Sequence, residues 1–172
     1  MRFAKGMVVM GLIGMLTGML AGCGDEAPDP ATSKVSLDQS RTSIQDATRT
    51  AVDVAEAAGF AVPSASGQWL GCGMESTSGL EYHAEGLING GTGDVAERVD
   101  HLATALAKSS WTRRATTTDQ PFAQFEDDGL VLTVKESRIH PGSLELGISG
   151  PCVRATSDQE AELTRKPETF IG

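Results

Sequence analysis

Glu81, His83 and Glu85 lie two residues apart within the segment Leu80 to Ile88. In an extended chain all three project from one face, opposite Tyr82, Ala84, Gly86 and Ile88. Two carboxylates flanking an imidazole could hold a divalent metal or move a proton, which is the equipment of a small metal-dependent hydrolase. The same spacing also describes the polar face of a half-buried antiparallel strand. His101 sits in an amphipathic stretch beside Leu102 and two residues from Val99, where most histidines are partly exposed helix residues, and His140 precedes Pro141-Gly142 in a turn. The sequence holds no HExxH, no GxSxG and no P-loop lysine, and Gly90-Gly91-Thr92-Gly93 lacks the strand-loop-helix phosphate signature. The expectation is a non-catalytic protein with no cofactor, the hydrolase being the alternative.

Three cysteines are present: Cys23, Cys72 and Cys152. Cys72 and Cys152 form no CxxC and have no cysteine or histidine beside them, which disfavours a metal pair or a redox dithiol. Their use depends on compartment, and the N-terminus speaks to that. Arg2 and Lys5 make a short positive region, Met7 to Leu20 an uncharged apolar run, and Leu20-Ala21-Gly22-Cys23 ends it with small residues before a cysteine. This order reads as a lipoprotein signal peptide with a lipobox over residues 1–22, cleaved before an acylated Cys23. As a helix, the apolar run would span only about 21 Å, short of the ~30 Å hydrocarbon core. One acyl chain binds a membrane marginally, whereas the two or more chains of a diacylglyceryl cysteine, palmitate among them, hold firmly.

The expected address is therefore the cell membrane, at its extracytoplasmic face, where thiols oxidise and Cys72 and Cys152 are predicted to pair. Closing a loop across their separation of 80 residues would remove about 4.5 kcal/mol of unfolded-state entropy.

The formal charge of the 172-residue chain is -9; losing Arg2 and Lys5 leaves 12 basic against 23 acidic residues, or -11. An acidic surface excludes electrostatic binding of nucleic acid and of anionic headgroups, so attachment to the membrane must come from the covalent lipid. With 40% hydrophobic and 22% charged residues, the chain has the composition of one globular domain.

These residues need elements to position them. Gly24 to Lys34, with two prolines and three acids, is a tether, so that residues 23–34 form a lipidated flexible link of at most ~40 Å. A single domain is expected over 35–155. Ser36 with Gln39 resembles a capping box, and Leu37, Ile44, Ala47, Ala51, Val54, Ala55 and Ala58 recur at helical steps up to Gly59. Pro63, Ser64, Ser66 and Gly67 read as a loop, Gln68 to Met74 and Leu80 to Ile88 as a hairpin, and Asp94 onward as a second helix. Trp111 to Thr117, Pro121 to Glu126, Leu130 to Val134 and Leu144 to Ile148 read as further strands, with Asp127-Asp128-Gly129 in a turn. Trp69, Trp111, Phe122 and Phe125 could fill the core or line a ligand cleft. The expected fold is α+β: two helices packed on an antiparallel sheet built of hairpins, with one disulfide. Residues 156–172 lose periodicity and read as a polar, disordered tail.

The order of elements resembles one family. A lipobox, an acidic tether, an alanine-rich helix, Gln68-Trp69-Leu70 before Cys72, a second helix ending near Trp111, and Leu144-Glu145-Leu146-Gly147-Ile148-Ser149-Gly150-Pro151-Cys152 are similar to the LppA-type lipoproteins of mycobacteria and other actinobacteria. The resemblance implies a surface lipoprotein of α+β fold with a disulfide and no assigned biochemical activity. Its partner would be an envelope protein, glycan or lipid.

Overall fold

The computed structural model describes residues 35–73, 79–165 and 167–172. The signal segment 1–22, Cys23 and the tether 23–34 lie outside the described residues.

Helix α1 spans Leu37–Ala57. The Ser36 hydroxyl accepts the Gln39 backbone N–H, and the Gln39 side chain accepts the Ser36 N–H in return, satisfying two donors that a helix start leaves orphaned. Gly59, at φ 86°, turns the chain into β1, Phe60–Cys72. β2 (Gly79–Gly90) pairs antiparallel with β1, and Asp94 caps α2 (Val95–Leu106) through a second reciprocal box with Glu97. The chain continues through β3 (Thr112–Arg114), β4 (Phe122–Asp127), β5 (Leu130–Glu136), β6 (Leu144–Ser149) and β7 (Val153–Arg154), then α3 (Ser157–Leu163) and β8 (Glu168–Ile171).

The strands form one antiparallel sheet in the order β3-β4-β5-β6-β2-β1-β8, with β7 pairing the start of β2. β2 is central, and its neighbour β6 lies more than fifty residues downstream in the chain. α1 packs on β1 and β2, α2 on β4 and β5, and the two helices touch. Between helices and sheet lies the core: Ile44, Ala51 and Ala55 from α1, Leu102, Ala103 and Leu106 from α2, and Tyr82, Ala84, Ile88, Phe125, Leu132, Val134, Leu146 and Ile148 from the sheet. The fold is α+β with a Cys72–Cys152 disulfide.

Three expectations are corrected. The described residues contain three helices rather than two, and the sheet is not a set of hairpins alone, because β2–β6 and β1–β8 join strands distant in sequence. Residues 156–172 are not a disordered tail. Thr156 and Gln159 make a third capping box, and Leu163, Phe170 and Ile171 pack against the core from an otherwise polar segment. Finally, Pro63, Ser64, Ser66 and Gly67 belong to β1. A bulge between Ala61 and Ser64 absorbs Pro63, which cannot donate to the ladder.

Candidate functional site

Alternation along β2 buries Tyr82, Ala84 and Ile88 completely and turns Glu81, His83 and Glu85 to the helix-free face. There His83 Nε2 lies 3.1 Å from Glu85 Oε1. The His83 ring and the Thr133 hydroxyl close over Gly147, which pairs with both Glu85 and Thr133 in register. Glu81 stands opposite Leu70. Among the described residues, no three His, Cys, Asp or Glu side chains are grouped to share a metal ion. His101 contacts the Phe60 ring at 5.6 Å between centroids, away from this face, and His140 lies in the loop between β5 and β6. The three histidines are thus dispersed.

Cys72 and Cys152 are bonded, with Cα atoms 6.0 Å apart. Around them gathers one end of the molecule: Gly79 lies against the bridge, and Val35, Ser36 and Leu37 meet Val153, Arg154 and Gln159 nearby. The register fixes what lies at the other end. Phe60 pairs with Gly90, Ile88 with Leu144, Leu144 with Glu136, and Lys135 with Phe122, so these residues share the far rim of the sheet. At ~3.3 Å per residue, the stretch from Leu80 to Ile88 separates the two ends by roughly 26 Å.

At that far rim lies a cleft of about 510 Å³, lined on one side by Thr118, Gln120, Pro121 and Phe122 and on the other by Lys135, Glu136, Ser137 and Arg138. It exceeds the hollow of about 400 Å³ near Arg41, Trp69 and Glu168. Phe122 is half-buried, unlike Trp69, Trp111 and Phe125, which fill the core. Lys135 Nζ is 2.9 Å from Glu145 Oε1, while Arg138 makes no ion pair among the described residues.

The loop 137–143 that forms one wall is held by its own hydrogen bonds. Ser137 N donates to Ser143 O and Ser143 N to His140 O, both at 2.9 Å, and His140 N donates to the buried Ser137 hydroxyl at 3.2 Å. Gly142 N donates to Glu136 Oε1, Ser143 Oγ bonds Asn89 Oδ1, and the buried Arg98 donates to Gly142 O at 2.5 Å. This network presents Ile139 to solvent at 80% exposure. A single exposed aliphatic side chain is ordinary for a protein surface, and Ile139 is not among the residues that line the cleft. The sequence singles out Phe122 but not Arg138, for which Ser137-Arg138-Ile139-His140-Pro141-Gly142 offers no local signal.

A second polar cluster closes the C-terminal segment onto the sheet. The buried Tyr82 hydroxyl donates to Glu168 Oε1 at 2.5 Å, and the Gln45 amide donates to both at 3.0 and 3.1 Å. Burial, followed by the bond to the Glu168 carboxylate, holds the phenol well above the ordinary tyrosine range.

Comparison with known family models, with curated proteins and with solved structures gave no match.

Proposed function

We propose that the chain is a cell-envelope lipoprotein, anchored at the extracytoplasmic face of the membrane through acylated Cys23, whose domain binds a ligand without catalysis. The order of positive residues, apolar run and Leu20-Ala21-Gly22-Cys23 supports the anchor. The resemblance to LppA-type lipoproteins belongs to the same proposal. The binding half rests on one observation: the chain enters the domain at the disulfide end, and the cleft lined by Phe122 and Arg138 opens at the opposite end. A domain held at one end would offer the other to the surrounding envelope. Its acidity keeps it off anionic headgroups and nucleic acid.

Intact mass of the membrane-extracted protein tests the anchor. The expected species begins at Cys23 and carries two or more acyl chains, and Cys23→Ala is expected to move the protein from the membrane to the soluble fraction. An unacylated wild-type protein would overturn the assignment.

A further inference from the structure

We infer that the far-rim cleft takes a small organic anion, a carboxylate or phosphate ester carried on a compact apolar body. This deepens the binding half of the proposed function and rests on it, while the lipid anchor stands or falls separately. Three features point to that ligand class. The volume of about 510 Å³ lies within the roughly 300–1,000 Å³ of small-molecule sites. Pro121 and Phe122 supply an apolar wall.

The third feature is charge. Lys135 is matched by Glu145, and Glu136, which keeps its negative charge, accepts the Gly142 N–H from the loop. Arg138 is left as the lining cation with no ion pair among the described residues, on a domain that is otherwise strongly acidic. A guanidinium offers a planar fork of donors that matches a carboxylate or phosphate, and Arg138 presents it exposed across the cleft from Phe122. The loop bonds around Ser137 and Gly142 hold the backbone beside Arg138 in place, so less ordering accompanies binding.

The test is calorimetric titration of the full chain in detergent with benzoate, phenyl phosphate and uncharged benzyl alcohol. Both anions are expected to bind saturably and at least about tenfold more tightly than the alcohol. Arg138→Gln is expected to weaken both anions about tenfold and leave the alcohol unchanged. Phe122→Ala is expected to weaken all three ligands, and Arg165→Gln none. Near-ultraviolet circular dichroism establishes that each variant is folded. Absence of saturable anion binding, equal binding of anions and alcohol, or an unaltered affinity in a folded Arg138→Gln would each overturn the proposal. None of these results depends on whether Cys23 is acylated.

Discussion

Tyr82 lays its ring over Gly67 and meets Trp69 edge-on, with ring centroids 5.0 Å apart, while its hydroxyl donates to Glu168. A methyl at Gly67 would overlap the phenol, so Gly67→Ala is expected to lower stability by about 1–3 kcal/mol through overpacking, read as a shift in urea midpoint. The raised pKa of Tyr82 gives a second expectation. In the unfolded chain the phenol ionises near ~10, whereas in the folded protein it keeps its proton to higher pH. Its contribution to stability is therefore fully present below ~10 and is lost as pH rises from there through the folded value. The wild type is expected to lose more stability than Tyr82→Phe between about pH 8 and 11. Equal losses in denaturant titrations of the two proteins would show that Tyr82 is not the group responsible.

Among the elements, the C-terminal segment departs furthest from its sequence. The helices at Leu37–Ala57 and Val95–Leu106 were legible because Ser36 with Gln39 marks the start of one, Asp94 the start of the other, and apolar stripes their faces, although packing buries Val52 and leaves Val54 half-buried. Residues 156–172 have only Leu163, Phe170 and Ile171 to commit, too few to show a period, and their partners lie some ninety or more residues upstream. Phe170 also receives the Arg49 guanidinium over its ring at 5.6 Å. Ending the chain after Ala155 is expected to destabilise the domain by about 2–4 kcal/mol, given three partly buried apolar side chains and the lost Tyr82–Glu168 bond. A disordered tail would leave the melting temperature unchanged. The cleft was illegible for a related reason. Phe122 meets Lys135 only through strand register, and nothing local to either residue announces the pairing. The turn between them was readable: Asp128 and Gly129 both have positive φ, the conformation that Asp-Gly favours between paired strands.

For the whole molecule, the disulfide closes a loop across 80 residues that contains the β2 to β6 strands, both walls of the cleft and helix α2. Reduction is expected to lower stability by about 4.5 kcal/mol in the loop-closure account. Thiol alkylation followed by mass measurement should find Cys72 and Cys152 protected until reductant is added, and thermal melts with and without reductant give the energy. Ready labelling of either cysteine in the native protein would contradict the bond.

The opposition of Val35 and the cleft along the strand direction has a mechanical consequence. A pull on the chain's entry point against something gripped at the far rim would run first along α1, which the chain enters at Leu37 and which joins β1 only through Gly59 at the far rim. Such a load would draw α1 across the face of β1 and β2, where Ile44, Ala51 and Ala55 are seated in the core, before it reached the hydrogen bonds between strands. The seat of α1 on the sheet is therefore the first contact that tension entering at Val35 would test.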